Sequence, residues 1–254
     1  MSTKVIQVPS SYIPAADALD GKTILVTGAS NGIGKRAAIS YAEHGATIAL
    51  LSRSVEGLEK TYDEIIANSS REPLALPFDL ARVDEDAYRE LASLLASQCP
   101  QLDGLLLNAG TLGDRKPLSQ YSWSQWQEVM QVNVSTNFLL LRELLPLLDA
   151  APSASVVLTS SGVGRSGRAY WGAYAVSKFA VEGLSQVMAS ELENTSKIRC
   201  NCINPGAVNT AMRRAAYPAE PPSSNPDPEA ILRSYLYLMD DVSMDQTGLS
   251  FDAQ

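Results

Sequence analysis

The sequence predicts an α/β protein with a parallel sheet between two layers of helices. Short apolar segments alternate with longer helical patterns along the whole chain of 254 residues. The short segments are apolar on both faces, which is typical of strands that helices cover on both sides. No internal repeat or linker divides the chain. We therefore expect one doubly wound, three-layer Rossmann-type domain over residues 1–254, with about seven strands and right-handed crossovers.

The elements can be assigned in order. Residues 1–20 contain Pro9 and Pro14 and show no periodicity, so we expect a loosely ordered extension. Apolar runs predict strands over residues 23–26, 47–51, 74–78, 102–107, 155–159, 198–203 and 248–251. Helical periodicity predicts helices over residues 32–44, 55–68, 84–98, 121–148, 172–194 and 228–239. Residues 211–227 are rich in Pro, Ala and Ser, which predicts a long loop.

Composition excludes several classes of function. The formal net charge is −8, so we expect no nucleic-acid partner, because phosphate binding needs clustered Lys and Arg. No apolar run reaches the roughly 18 residues that a membrane helix needs. The chain starts without the apolar stretch of a secretory signal, and its three cysteines lack a disulfide framework, so we expect a cytoplasmic protein.

The residue counts also limit the catalytic chemistry. The chain has one histidine, His44, placed just before Gly45 where a helix would end. This excludes a Ser-His-Asp arrangement and most Cys-His chemistry. Cys200 and Cys202 have no partner histidine, so a metal site is not expected. Acid–base work must come from Tyr, Lys or carboxylates.

A glycine-rich loop joins the first buried strand to the first helix. It reads Thr-Gly-Ala-Ser-Asn-Gly-Ile-Gly over residues 27–34. Glycines here permit a tight turn and bring the backbone close to a pyrophosphate at the helix N-terminus. A flexible turn is the alternative, but the position after a buried strand favours dinucleotide binding.

The end of the second strand bears on the choice of dinucleotide. A carboxylate there would bind the ribose 2′-hydroxyl of NAD, whereas an arginine would bind the 2′-phosphate of NADP. The chain has Ser52 and Arg53, and the next acid is Glu56. NADP(H) is therefore expected in preference to NAD(H), with a simple surface arginine as the alternative.

Tyr174 and Lys178 are the strongest catalytic candidates. They lie four residues apart in a predicted helix and hence on the same face. A phenol ionises at about pH 10, and a nearby cation lowers that pKa. The tyrosine could then act as a general acid. Taken alone, the pair is better explained by a buried Tyr beside a solvated Lys, so the function depends on whether the chain also supplies an electron carrier and a second polar group.

Taken together and in order, the motifs resemble the short-chain dehydrogenase/reductase superfamily in its single-domain form. The resemblance runs from about residue 20 to the C-terminus. The matching residues are Thr27 to Gly34, Asp79 and Leu80, Asn108 to Gly110, Asn133, Ser160 and Ser161, Tyr174 and Lys178, Pro205 and Gly206, and Thr210. Within the superfamily, residues 171–180, 199–206 and 251–254 resemble the bacterial YciK group of oxidoreductases.

The resemblance implies a catalytic set and a reaction. Ser161, thirteen residues before Tyr174, would polarise a carbonyl to which Tyr174 gives a proton; Ser160 is otherwise an equal candidate. Lys178 would lower the pKa of Tyr174 and bind the nicotinamide ribose. Asn133 would interrupt its helix and hold a water leading from Lys178 to solvent. The implied reaction reduces a ketone or aldehyde to an alcohol with NADPH, or runs in reverse.

The resemblance also implies the cofactor contacts. Asp79 and Leu80 would meet the adenine; the alternative role for Asp79 is a helix N-terminal cap. Asn31 departs from many NADP-preferring members, which carry a basic residue there. The full expected set is Gly28, Ser30, Asn31, Gly32, Ile33, Gly34, Ser52, Arg53, Asp79, Leu80, Asn108, Ala109, Gly110, Tyr174, Lys178, Pro205, Gly206, Val208 and Thr210.

The substrate is expected to be a small carbonyl compound or alcohol. The wall of its site would include residues 162–171 and the loop of residues 211–227 as a lid. Arg165 and Arg168 would meet an anionic group, or else lie at the surface or in an interface. The predicted helix at residues 172–194 carries few charges, so we expect a homodimer or homotetramer. The alternatives are a reductase of 3-oxoacyl thioesters and a non-catalytic NADP(H)-binding sensor.

Overall fold

A computed structural model describes residues 4–82 and 84–254 of the chain. It contains one sheet of eight parallel strands in the order β1-β8-β7-β6-β5-β2-β3-β4. The strands are β1 (Val5–Gln7), β2 (Thr23–Thr27), β3 (Thr47–Ser52), β4 (Leu74–Pro77), β5 (Gly104–Leu107), β6 (Ala154–Thr159), β7 (Ile198–Asn204) and β8 (Ser250–Asp252). The expected parallel α/β architecture is confirmed.

The helices alternate with the strands. They are α1 (Gly32–Glu43), α2 (Val55–Asn68), α3 (Glu85–Gln98), α4 (Trp123–Met130), α5 (Thr136–Asp149), α6 (Gly172–Leu192), α7 (Ala211–Ala216) and α8 (Leu232–Met239). Within the described part of the chain, no helix is both long and apolar enough to cross a membrane.

Alternate residues of each central strand face opposite helical layers. In β2, Ile24 and Val26 pack with α1 and α8, whereas Leu25 packs on the side of α3, α5 and α6. Each side of the sheet therefore has its own apolar core, and both strand faces must be apolar. This is why the strands lack the alternating polarity of a half-exposed sheet.

Residues 4–20 are more ordered than predicted. Val5–Gln7 forms β1 and pairs in parallel with β8, with Ile6 opposite Phe251. Leu19 is fully buried. A three-residue edge strand is too short to give a periodic signal, and its partner lies at the other end of the chain. Residues 1–3 of the predicted extension lie outside the described residues.

Two other segments differ from their predictions. The predicted helix of residues 121–148 is divided by a π-helical turn, Gln131–Ser135. The predicted loop of residues 211–227 contains α7, which starts where the Thr210 hydroxyl accepts a hydrogen bond from the Arg213 backbone N–H at 3.2 Å. One capping residue is enough to begin a short helix that composition alone does not reveal.

The strand order reverses between β2 and β5. From β2 the chain builds outward through β3 to β4, and then from β5 in the opposite direction. In doubly wound sheets a crevice opens at this point, beyond the carboxyl ends of the strands. The loops after β2 and β5 diverge there, which places the glycine-rich loop beside Asn108 and Ala109.

Candidate active site

A cleft of about 420 Å³ occupies this switch point. Its walls come from the carboxyl ends of the central strands and from α6. The predicted site residues that line it are Gly28, Ser30, Asn31, Gly32, Ile33, Ser52, Arg53, Asp79, Leu80, Asn108, Ala109, Gly110, Tyr174, Lys178, Pro205 and Thr210. The fold thus brings together side chains from seven separate parts of the sequence.

The glycine loop is shaped for close backbone approach. Gly28 and Gly32 have φ angles of +70° and +53°, in the left-handed region that favours glycine. A Cβ on Gly34 would collide with the carbonyl oxygen of Gly28. Asn31 caps α1 without a side-chain hydrogen bond to its first turn. The N–H groups at the start of α1 therefore face the cleft without a side-chain acceptor, which suits a pyrophosphate.

Arg53 is positioned to bind an anion. It is exposed at the rim of the cleft beside Ser52, whose hydroxyl is 2.7 Å from that of Ser30. Among the described residues, Arg53 has no hydrogen-bond or ion-pair partner. By contrast, Lys35 and Arg36 both pair with Glu64, at 2.5 Å and 3.4 Å. Arg53 is thus the basic group of this region that remains available to a ligand.

Side-chain hydrogen bonds hold the turns after β4 and β5 at the cleft. The Asp79 carboxylate accepts a hydrogen bond from the backbone N–H of Ala81 at 3.1 Å, and the cap of α3 is Asp84. Asp79 is therefore not the helix cap that the sequence left open. The Asn108 Oδ1 accepts a hydrogen bond from the Thr159 hydroxyl at 3.2 Å. These contacts fix the turns after β4 and β5.

Tyr174 and Lys178 lie one turn apart on α6, and both are buried. The Lys178 Nζ donates to the backbone carbonyl of Thr159 at 2.7 Å and lies 5.6 Å from the centroid of the Tyr174 ring. Ser161 is half-buried at the end of β6 and hydrogen-bonds to Tyr174. The neighbouring Ser160 lines the cleft, with a hydroxyl that has no partner among the described residues.

The electrostatics of this pair differ from the expectation. Burial raises the pKa of Tyr174 to about 12, and the hydrogen bond with Ser161 opposes that rise. Burial also lowers the pKa of Lys178 to about 8, against the opposing effects of Cys202 and Glu182. The expected lowering of the Tyr174 pKa by Lys178 is therefore absent. Desolvation outweighs the effect of a cation whose ammonium is directed at Thr159.

Asn133 lies in the π-helical turn, so the expected interruption of the helix is present. Its Oδ1 accepts from the Thr111 N–H at 2.8 Å, and its Nδ2 donates to the Thr111 carbonyl at 3.0 Å. The same Nδ2 donates to the Ser177 hydroxyl at 2.9 Å. Asn133 thus joins the loop after β5 to the helix that carries Tyr174. Its proposed role in holding a water stays a prediction.

Some predicted residues do not line the cleft among the described residues. Val208 packs in the core, and Gly206 has a φ of +74° in a turn whose carbonyls at Pro205 and Ala207 accept hydrogen bonds from the Gln254 amide. Gly34, Asn133 and Ser161 contact residues of the lining, namely Gly28, Thr111 and Tyr174. Residues of the lining that the sequence analysis missed are Ser54, Phe78, Ala81, Thr111, Glu128, Val132 and Thr159, whereas Met212 falls within the loop of residues 211–227 that it expected at the site. Many of these adjoin a recognised motif, and that adjacency was the available signal.

Arg165 does not face the cleft. Its guanidinium pairs with Glu182 at 3.2 Å and with Asp252 at 2.7 Å, and it donates to the Ser250 hydroxyl at 2.5 Å. This buried network ties the turn after Ser161 to α6 and β8. Of the two arginines considered for an anionic substrate, Arg165 is thereby committed to structure.

Comparison with known proteins agrees with this geometry. The short chain dehydrogenase family model matches residues 22–221. The oxidoreductase YciK of Escherichia coli (strain K12) is 48% identical over 243 residues, covering 96% of each chain. A short chain dehydrogenase of Escherichia coli CFT073, solved with NADPH, superposes with a TM-score of 0.92 at 48% identity, covering 95% of this chain and 100% of that one. One of Shigella flexneri 2a, solved with NADP, superposes with a TM-score of 0.92 at 47% identity, covering 94% and 100%.

The chain therefore belongs to the short-chain dehydrogenase/reductase family and is an oxidoreductase of that family.

Proposed function

We propose that this protein is an NADP(H)-dependent oxidoreductase that reduces a carbonyl to an alcohol, or catalyses the reverse, with Tyr174 as general acid or base. The observation that carries the proposal is the convergence of Tyr174 and Lys178 with the glycine loop in one cleft, with Ser161 hydrogen-bonded to Tyr174. When bound, the nicotinamide supplies the hydride. The overall reaction is carbonyl + NADPH + H⁺ to alcohol + NADP⁺.

The residues of the chain have separate roles in this mechanism. The hydroxyls of Tyr174 and Ser161 would both hydrogen-bond the substrate oxygen, which orients the carbonyl carbon and stabilises its developing negative charge. The Tyr174 hydroxyl then donates its proton to that oxygen. A neutral tyrosine, which the raised pKa favours, is the form needed to donate. Lys178, fixed by the Thr159 carbonyl, would bind the nicotinamide ribose.

The cofactor preference rests on Arg53. The 2′-phosphate distinguishes NADPH from NADH, and an unpaired guanidinium beside Ser52 and Ser30 can bind it with two parallel hydrogen bonds. The relatives solved with NADPH and NADP support the same assignment. The end of β3 carries no acidic residue, so it lacks the carboxylate that would bind the free ribose 2′-hydroxyl of NAD.

We also propose a homodimer or homotetramer in the cytoplasm. Apolar side chains on α5 and α6 are exposed in the single chain, namely Phe138, Val176, Phe179 and Val187. A patch of this kind is typical of a protein–protein interface. A chain that sediments only as a 27.3 kDa monomer at micromolar concentration would remove this proposal.

The experiment that tests the proposed function is NADPH oxidation by the purified protein with a panel of aldehydes, diketones, quinones and a 3-oxoacyl thioester. We expect turnover of simple carbonyls, with NADPH preferred over NADH. Turnover of the thioester alone would favour the 3-oxoacyl reductase. Tight NADPH binding without turnover of any carbonyl would contradict the proposal and favour a sensor.

A further inference from the structure

An arginine–aromatic cluster lies beside Tyr174. It consists of Arg115, Arg168, Trp171 and Tyr217. The Arg115 guanidinium lies between two rings, 4.8 Å from the centroid of Trp171 and 4.7 Å from that of Tyr217. Arg168 donates to the Tyr217 hydroxyl at 3.1 Å. The Arg213 guanidinium lies 4.0 Å from the Tyr217 centroid, so three guanidinium groups surround one pair of aromatic rings.

The cluster is in direct contact with the catalytic tyrosine. The Trp171 and Tyr174 ring centroids are 5.7 Å apart, and Trp171 and Tyr217 are 6.0 Å apart. Arg115 also donates to the carbonyl of Ala216 at the end of α7. The loop after β5, the start of α6 and the segment after α7 therefore meet here. The Trp171 ring lies between the Arg115 guanidinium and the Tyr174 phenol.

The guanidinium groups of Arg115 and Arg168 lack counter-ions. Nearby carboxylates are already engaged: Asp114 pairs with Lys116 at 2.8 Å, and Glu220 holds Arg213 through two hydrogen bonds of 2.6 Å and 2.7 Å. Among the described residues, neither Arg115 nor Arg168 forms an ion pair. Unpaired cations beside the reacting group are notable in a chain with a net charge of −8, because they give this end of the site a local positive potential.

A buried hydrogen-bond donor in the cluster is also unused. Trp171 is 8% exposed, and its indole Nε1 has no acceptor among the described residues. A buried indole N–H normally finds a partner. The indole N–H and the guanidinium groups of Arg115 and Arg168 are all hydrogen-bond donors, and the two guanidinium groups carry positive charge with no ion-pair partner among the described residues. Such a set is suited to bind an anionic oxygen group.

We infer that the substrate is a carbonyl compound with an anionic oxygen group, a carboxylate or a phosphate, at the end remote from the carbonyl. Arg168 and Arg115 bind that group, and Trp171 contacts the body of the substrate. The inference rests on the proposed carbonyl reduction and adds the substrate class. Arg168 is the specificity residue that is easiest to test, because it is exposed and makes one hydrogen bond within the chain.

The test compares pairs of aldehydes that differ in charge. In one arm, kcat/KM with NADPH is measured for 4-carboxybenzaldehyde and for its methyl ester; in the other, for 4-formylphenyl phosphate and 4-methoxybenzaldehyde. Wild type should prefer the anion by roughly tenfold or more in at least one arm, and the preferred arm identifies the anion. Arg168→Gln should lower kcat/KM for the anionic aldehyde at least tenfold more than for its neutral partner and so remove the preference, and Arg168→Lys should restore part of it.

Arg71→Gln is the matched control. Arg71 is paired with Asp20, just before β2 and hence at the opposite edge of the sheet. The Arg71→Gln substitution removes one positive charge, as Arg168→Gln does, and should leave the preference for the anionic aldehyde unchanged. The inference would be overturned if wild type preferred the neutral aldehyde in both arms. It would also be overturned if the preference for the anion survived Arg168→Gln, or if that substitution lowered kcat/KM equally for charged and neutral aldehydes.

A binding measurement separates this inference from the proposed function. Calorimetric titration of the NADP⁺-saturated protein with 4-(hydroxymethyl)benzoate and with its methyl ester requires no turnover. If no aldehyde is reduced, the proposed function fails. Tighter binding of the benzoate that is lost in Arg168→Gln would still support the anion site, and equal binding of both compounds would overturn it.

Discussion

The ammonium of Lys178 donates to the backbone carbonyl of Thr159 at 2.7 Å, and this contact joins α6 to the carboxyl end of β6 inside the protein. A carbonyl dipole fixes the lysine without neutralising it. Lys178 is 4% exposed and forms no ion pair with the described carboxylates. Burial of an unneutralised cation explains why the pKa of Lys178 falls to about 8.

The lowered pKa predicts a pH-dependent stability. Below about pH 8, Lys178 is protonated in both the folded and the unfolded chain, and burying its charge lowers the free energy of unfolding by the full desolvation cost. Between about pH 8 and 10.5 the unfolded chain binds more protons, so stability rises with pH in that window. We expect wild type to gain about 3 kcal/mol relative to Lys178→Met from pH 8 to 10.5, measured by urea unfolding.

Lys60→Met serves as the control for that series. Lys60 is exposed, and a hydrogen bond to Glu56 holds its pKa above the usual value. This substitution should therefore show no relative gain of wild type over the same pH range. A constant difference between wild type and Lys178→Met at all pH values would contradict the burial of a charged lysine.

Arg53→Ala should weaken NADPH binding by about 10- to 100-fold and leave NADH binding unchanged. The reason is the loss of charge-assisted hydrogen bonding to the 2′-phosphate. Hydrogen bonds of this kind contribute about 1.5–3 kcal/mol. Fluorescence titration of both cofactors measures the effect. Arg71→Ala removes an arginine that pairs with Asp20 away from the cleft and should alter neither affinity. Equal weakening of NADPH and NADH would refute the 2′-phosphate role.

Asn133→Ala should lower the free energy of unfolding by about 2–4 kcal/mol. The substitution leaves the N–H and carbonyl of the half-buried Thr111 without their partner and removes one of the two hydrogen bonds of the buried Ser177 hydroxyl, and each unsatisfied group costs about 1–3 kcal/mol. Asn68→Ala removes one exposed bond to the Glu64 carbonyl and is the matched control. Losses of equal size in urea unfolding would show that Asn133 does not hold the π-helical turn.

The Arg165–Glu182 pair predicts strong coupling between two substitutions. Arg165→Met leaves the buried Glu182 carboxylate without its guanidinium and should cost about 3–5 kcal/mol. Adding Glu182→Leu removes that unpaired charge, so the double variant should recover part of the loss. A double-mutant cycle by urea unfolding measures this, and strictly additive losses would mean that the pair is not coupled.

The local motifs of the site could be predicted because each depends on neighbouring residues. The loop from Gly28 to Gly34 requires glycine at fixed positions after a strand, and Tyr174 and Lys178 share a helix face through their spacing. The alternation of short apolar segments with helical patterns also predicted the parallel sheet, because both faces of each strand are apolar. These features are visible in any short window of the sequence.

Contacts between distant segments could not be predicted in this way. The Arg115 hydrogen bond to Ala216 spans 101 residues, and β1 pairs with a strand at the opposite end of the chain. The desolvation that raises the Tyr174 pKa likewise depends on how α6 packs against the sheet. Spacing predicted which groups meet, but the balance between burial and charge emerges only from the packed structure.

The role of Tyr174 as the proton donor is tested most directly by steady-state NADPH oxidation with Tyr174→Phe beside wild type, using an aldehyde that wild type reduces. Tyr62→Phe, which removes an exposed hydroxyl bonded to Glu72, is the control. We predict that Tyr174→Phe lowers kcat/KM by roughly 10²- to 10⁴-fold while the NADPH dissociation constant stays unchanged. Turnover equal to that of wild type would contradict the mechanism.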